Sequence, residues 1–294
     1  MLTMKKLISL ALSGLIAASL LTGCSPDNSS SEGGELSEIV VITREEGSGT
    51  RGAFVELTGI EEKGNDGTKT DRTSKEAITQ MKTDTVLTSV AGNKDSIGYV
   101  STGSLNDTVK AINIDGVSPT TENIKNGSYK ISRPFNIATK GEISELAKDF
   151  IDFIMSKDGQ TVVSKSYIAV DDSLPPYSGS KPTGKIVIAG SSSVTPIMEK
   201  LREAYIEINP NAEIEVQQSD SSSGMTAAIN GTADIGMASR NLKDSEKEQL
   251  NSLAIALDGI AVITHKENTI ADLTIDNVKK IFVGDITNWS EIIK

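Results

Sequence analysis

Short apolar runs alternate with amphipathic stretches along most of this chain. Ile39–Ile42 is an apolar run closed by the polar, glycine-bearing turn Arg44-Glu-Glu-Gly-Ser-Gly-Thr-Arg51, after which Gly52-Ala-Phe-Val-Glu-Leu resumes a helical pattern. That order predicts a strand, a tight turn and a helix start. A polar loop (Gly59–Thr70) follows, then a helical pattern from Ser74 with Ala77, Ile78 and Met81 on one face. Ile97–Val100, Val109–Ile114 and Phe135–Thr139 read as strands, and Leu146, Phe150, Ile151 and Ile154 recur at helical spacing. Asp171–Gly184, rich in Pro, Ser and Gly, reads as a connector.

Beyond the connector the alternation resumes. Lys185-Ile-Val-Ile-Ala189 predicts a strand, Gly190-Ser-Ser-Ser193 a turn, and Val194-Thr-Pro196 opens a helix with Ile197, Leu201, Tyr205 and Ile208 on its apolar face. Glu213–Val216 is a strand leading to Asp220-Ser-Ser-Ser-Gly224 and the helix Met225–Ile229. Ala233–Met237 is a third strand, ending in Ala238-Ser239-Arg240, and Gly259–Thr264, Val278–Phe282 and Trp289 complete this half. Such alternation argues for an α/β protein with open, mostly parallel sheets, whose ligands sit at the carboxyl ends of the strands.

The first 36 residues follow a different rule. Lys5 and Lys6 precede the apolar stretch Leu7–Leu21, which has the length of a signal-peptide core and is short for a membrane span. It ends in Leu21-Thr22-Gly23-Cys24, similar to the lipobox of bacterial lipoproteins, in which cleavage precedes the cysteine and the cysteine is lipidated. Residues 1–23 are therefore expected to be a lipoprotein signal peptide, with Cys24 carrying palmitate and tethering an extracytoplasmic protein to the cell membrane. Cys24 is the single cysteine, so no intramolecular disulfide forms. Residues 24–36 read as a flexible tether: Ser25–Glu35 cannot bury apolar surface, and these eleven residues span roughly 18 Å root-mean-square.

Charge narrows the choice of partner. The net charge is −11, and removing residues 1–23 takes away two lysines and no acids, leaving −13. That balance argues against nucleic acid and anionic membrane surfaces. A small anion is a different matter, because local dipoles and a buried guanidinium outweigh the mean field. Helix starts present unpaired N–H groups and the positive end of the macrodipole. Gly47–Thr50, Ser191–Ser193 and Ser221–Ser223 each end a strand and open a helix with hydroxyl residues, and Arg44 and Arg240 end strands beside them. A single such turn is ordinary N-capping. Three, with two arginines, supply the donors that a dehydrated tetrahedral oxyanion requires. No metal or cofactor is called for.

These same segments carry a family resemblance. Lys185–Pro196, Gln218–Gly224, Ala233–Arg240, Asp258–Ile263, Ile286–Trp289 and Arg44–Thr50 resemble the phosphate-binding lipoproteins of bacterial phosphate ABC importers, over nearly all of 38–170 and 184–294. The resemblance implies a two-lobed, hinged periplasmic-binding-protein-like fold of type II. It also implies inorganic phosphate as ligand, permease subunits as partners and a monomeric protein. The implied phosphate ligands are Arg44, Ser48, Gly49, Thr50, Ser192, Ser193, Ser223 and Arg240, with Glu46 orienting Arg44 and Asp258 in support. Arg240 departs from family members that carry an Asp there to accept the proton of hydrogen phosphate. That departure leaves the rejection of sulfate in doubt, with Asp258 or Glu46 as substitutes. The alternative for Arg240 is a surface ion pair with Glu246 or Asp244.

The family segments appear in circularly permuted order. The family begins with a segment like 185–189 and ends with one like 165–170, whereas here its beginning follows its end. A circular permutation joined at 171–184 is the simplest account; a tandem-duplication fragment and a mis-assembled gene are the rivals. Under permutation, 37–134 plus 259–294 form one lobe and 135–258, with the linker 171–184, the other. Hinge strands then fall near 133–137 and 257–262, and Glu38 lies close to Lys294.

Catalysis finds little support. The single histidine, His265, sits at a strand end in Thr264-His-Lys-Glu and reads as a solvated loop residue. There is no Gly-x-Ser-x-Gly elbow, no Gly-Lys-Ser/Thr phosphate loop and no His/Asp set at metal-ligand spacing. A lipid-tethered sensor or adhesin, or a binder of a sulfate-like oxyanion, remains the alternative to phosphate uptake.

Overall fold

The computed structural model describes residues 37–292. The signal segment, Cys24 and the tether lie outside the described residues, as does Lys294.

A nine-stranded mixed sheet organises the described chain. Its order is Ala212–Ser219, Gly184–Ser191, Ile235–Ala238, Ser132–Thr139, Asn251–His265, Ser96–Ser101, Val40–Arg44 and Ile78–Gln80, with Val109–Ala111 also paired to Asn251–His265. Parallel pairing holds in each flank of the sheet: Gly184–Ser191 pairs in parallel with Ala212–Ser219 and Ile235–Ala238, and Val40–Arg44 with Ser96–Ser101. Ser132–Thr139 and Asn251–His265 run antiparallel to each other through the middle. The sequence places only Gly259–Thr264 of the latter in a strand; the structure extends it to fifteen residues, because Asn251–Gly259 pairs with Ser132–Thr139.

Two principal apolar cores flank this central pair. One gathers Phe135, Phe150, Phe153, Ile188, Leu201, Tyr205 and Ile235; the other gathers Phe54, Tyr99, Ile260, Val262, Phe282 and Trp289. Helix Glu145–Ile154 shows why the pattern is legible: Leu146, Ala147, Phe150, Phe153 and Ile154 are buried on one stripe, and Ser144 caps its start by accepting from the Ala147 N–H. Each large buried side chain contributes about 1.5–3 kcal/mol by removal from water.

One expectation fails in this region. The helix from Ser74 is absent: Ile78–Gln80 is a short edge strand on Val40–Arg44, with Ile78 48% and Met81 66% exposed. The β-branched pair Ile78-Thr79 completes the sheet edge, and no apolar partner covers the supposed helical face. The connector 171–184 has no regular structure but is strapped down. Tyr177 Oη and Tyr205 Oη both donate to Asp149 Oδ2, at 2.5 and 2.6 Å, and Asn209 Nδ2 donates to the Pro182 carbonyl. Burial raises the Asp149 pKa, but these hydrogen bonds outweigh it and hold the carboxyl below its ordinary value.

The start and end of the described chain run side by side. Ile39 N donates to Thr287 O at 2.8 Å, Trp289 N donates to Ser37 O at 3.1 Å, and Glu38 bridges Asn288. Ile39, Phe282 and Trp289 share one core. The Glu38–Lys294 separation itself falls outside the described residues.

Candidate functional site

Four helices start around one buried cluster of hydroxyls. Helix Gly49–Leu57 follows strand Val40–Arg44, and Ser48 caps it by accepting from the Arg51 N–H at 3.3 Å. Helix Thr83–Ala91 presents Thr83, helix Thr195–Ile208 follows the Ser191–Ser193 turn, and helix Ser221–Asn230 is capped by Asp220. The early N–H groups of such helices have no intrahelical acceptor, and each macrodipole points its positive end at the cluster.

Arg44 is the central cation. It is 3% exposed, and its Nε and Nη2 clasp the Glu45 carboxylate at 2.8 and 2.7 Å. Nη2 also donates to Ser192 Oγ at 3.0 Å, and Nη1 lies 3.4 Å from Thr83 Oγ1. The Arg44 backbone N–H donates to Tyr99 Oη, whose phenol burial pushes up to about 12. Around this guanidinium the hydroxyls link to one another: Thr50 Oγ1 to Ser193 Oγ at 2.8 Å and to Ser239 Oγ at 3.3 Å, Thr83 Oγ1 to Ser193 Oγ at 3.2 Å, and Ser191 Oγ to Ser239 Oγ at 2.9 Å.

The Gly47–Gly49 turn must pass close to the serine turns. A Cβ on Gly49 would sit 2.3 Å from Ser221 Oγ and 2.8 Å from Ser239 Oγ; one on Gly47 would sit 2.3 Å from Asp220 Oδ1. Ser222 N donates to Gly47 O at 3.2 Å. Glycine is required here for approach, because any side chain would push the two turns apart.

Of the residues expected from sequence, Arg44, Ser48, Gly49, Thr50, Ser192 and Ser193 are brought together and buried. Three others are engaged elsewhere. Glu46 is exposed, and its neighbour Glu45 clasps Arg44 instead, because the turn points Glu45 inward. Ser223 is exposed and bound to Asp220 through both its N–H and its hydroxyl, which is an N-capping arrangement. Arg240 gives both its Nη atoms to Glu246, at 2.7 and 2.8 Å, with further bonds to Asn241 O and Ser222 Oγ. The ion-pair alternative for Arg240 therefore holds, although the pair is largely buried rather than at the surface.

Asp258 is fully buried on Asn251–His265 and pairs with Arg133, which faces it across the strand ladder. Its other oxygen accepts from Thr102 Oγ1 at 2.8 Å. Arg133, Thr83 and Ser239 escaped the sequence reading. Arg133 left a trace: it and Asp258 are opposite charges, one within Ser132–Thr139 and the other amid the apolar run of Asn251–His265, which is a pattern for a buried pair.

The structure has no group of three or more His, Cys, Asp or Glu able to hold a metal among the described residues. The cluster is donor-rich: two guanidiniums, six hydroxyls and several helix N-termini, with the Glu45 and Asp258 carboxylates each engaged by an arginine. Chemically it suits a small, multiply charged oxyanion.

Known proteins share this architecture. A PBP superfamily domain matches residues 10–158 and 175–293. Phosphate-binding protein PstS 2 of Streptococcus agalactiae is 52% identical over 293 residues, 99% of this chain and 99% of its own. The crystal structure of a phosphate-binding protein of a phosphate ABC transporter from Streptococcus pneumoniae is 44% identical, with a TM-score of 0.70, covering 87% of this chain and 99% of its own. Phosphate-binding protein PstS of Bacillus subtilis aligns over 145 residues at 36% identity, 48% of this chain and 44% of its own. The chain belongs to the PBP superfamily, among the PstS phosphate-binding proteins.

Proposed function

We propose that this protein captures inorganic phosphate at the Arg44 cluster and delivers it to the membrane permease subunits of an ABC importer. It acts as an extracytoplasmic monomer, anchored through lipid on Cys24 and needing no cofactor, and it binds its ligand rather than transforming it. The observation that carries this reading is the meeting of two turns remote in sequence: Arg44 Nη2 donates to Ser192 Oγ, and Thr50 Oγ1 bonds Ser193 Oγ. Arg44, Ser48, Gly49, Thr50, Ser192 and Ser193 are the proposed phosphate ligands.

We further propose the lobe division 37–134 plus 259–294 against 135–258. The separate cores support it, and the ladder between Ser132–Thr139 and Asn251–His265 is where the lobes would hinge. Circular permutation is supported by the pairing of 37–39 with 287–289. End-to-end agreement with a full-length relative supports an inherited order over a mis-assembled gene.

Isothermal titration of the mature chain with phosphate and then sulfate tests the function. Micromolar or tighter phosphate binding that sulfate cannot displace supports it. Tighter sulfate binding would identify a different oxyanion carrier, and no binding of either would favour a sensor or adhesin.

A further inference from the structure

We propose that Arg133 is the second guanidinium of the anion site, reaching the bound oxyanion through Nη2, and that Asp258 is the residue that positions it. This rests on the anion-binding reading above.

Arg133 lies on Ser132–Thr139 and is 3% exposed. Its five N–H donors can be accounted for one by one. Nε donates to Ser239 O at 3.2 Å, Nη1 donates to Asp258 Oδ2 and to Gly259 O at 3.1 Å, and Nη2 donates to Thr50 Oγ1 at 3.2 Å. One Nη2 N–H is left without an acceptor among the described residues. It belongs to the same nitrogen that touches Thr50, and Thr50 is in turn bonded to Ser193. A buried guanidinium N–H without a partner is costly, and an anion among these hydroxyls would satisfy it. Arg44 has the same arrangement: Glu45 takes Nε and one Nη2 donor, leaving Nη1 only the long contact to Thr83.

The two arginines therefore approach the hydroxyl cluster from different sides, each braced by one carboxylate. Asp258 stands directly opposite Arg133 in the strand register, so the brace is set by the ladder itself. Arg133 also touches each part of the assembly: Thr50 on one side, the Ser239 carbonyl on the other, and Asp258 and Gly259 on the central strand. Burial works against its charge and the Asp258 carboxylate works for it. Arginine nonetheless stays protonated throughout the physiological range. The site thus carries two fixed cations, which favours the dianion of phosphate over the monoanion.

The experiment measures phosphate affinity of the full mature chain and of Arg133→Met, Arg133→Lys and Asp258→Asn at pH 6 and pH 8. Thermal unfolding is followed in parallel. Wild-type binding checks the underlying reading separately: if the wild type binds no phosphate, that reading fails before Arg133 is tested. Given wild-type binding, Arg133→Met is expected to lose about 100-fold in affinity, with the larger loss at pH 8, where the dianion dominates. Arg133→Lys should recover part of the loss, and Asp258→Asn should weaken binding by about tenfold. Affinity of a folded Arg133→Met within threefold of wild type would overturn the proposal. So would an equal loss at both pH values with no recovery by lysine, which would mark Arg133 as structural only.

Discussion

Arg44 and Arg240 look equivalent in sequence, since each follows a strand beside the hydroxyl-rich turns, yet the fold directs their guanidiniums differently. Both clasp a glutamate with two nitrogens. Arg44 takes its carboxylate from the next residue, within the turn itself, so its remaining donors stay turned toward Ser192 and Thr83. Arg240 takes its carboxylate from Glu246, six residues on and in the following short helix, and the pairing draws its guanidinium away. Its aliphatic stem instead lies against the start of helix Gly49–Leu57, near Gly49 and Gly52. The origin of the bracing carboxylate decides where a strand-end arginine directs its remaining donors.

The comparison breaks first at Arg44. Arg44→Ala should abolish most phosphate affinity, a loss of about 100-fold or more, because truncating one partner of a buried charged contact costs about 2–5 kcal/mol. Calorimetry giving unchanged affinity in a folded variant would remove Arg44 from the site. Gly49→Ala comes next, with about a tenfold loss, since its Cβ would collide with Ser221 and Ser239 and separate the two turns; affinity and melting temperature measured together distinguish this from general unfolding.

Arg240→Ala should act the other way round. Phosphate affinity should stay within about threefold of wild type, while stability falls by about 2–3 kcal/mol because Glu246 is left largely buried without its partner. Urea unfolding and calorimetry on the same variant would expose an error if affinity collapsed while stability held.

The smallest effect is a pH signature. Burial raises the Glu246 pKa, but Arg240 and the Lys243 N–H outweigh it and hold the carboxyl below its ordinary 4.5. A folded pKa below the unfolded one contributes stability in full above pH 4.5 and loses it as pH falls through the folded value. The drop in urea midpoint between pH 6 and pH 3 should therefore be shallower in Glu246→Gln than in wild type; an identical drop would mean the pair adds no pH-linked stability.

Much of the fold was legible because apolar spacing maps directly onto burial. The stripe Leu146, Phe150 and Ile154 and the run Lys185–Ala189 produced the helix and strand that they predict. Ser74–Met81 misled because three apolar residues at helical spacing carry no information about whether anything covers them. At the site, Arg44, Thr50, Ser192 and Ser193 were legible as hydroxyl and arginine turns at strand ends. The bond of Ser223 to Asp220 was not legible because capping and ligand binding use the same residue type in the same place, nor was the exposure of Glu46, because one residue of rotation in a turn exchanges inside for outside.

The sequence alone determined the alternation of strands and helices and the chemistry available at each helix start. These are local or linear properties, fixed by side-chain periodicity and residue type. Only the tertiary structure decided which turns meet, that Glu45 rather than Glu46 braces Arg44, that Arg240 belongs to Glu246, and that Arg133 joins Thr50 and Asp258 across 83 and 125 residues of chain. Such pairings depend on strand order and register, which bring distant residues within hydrogen-bond reach and are written in no single stretch of sequence.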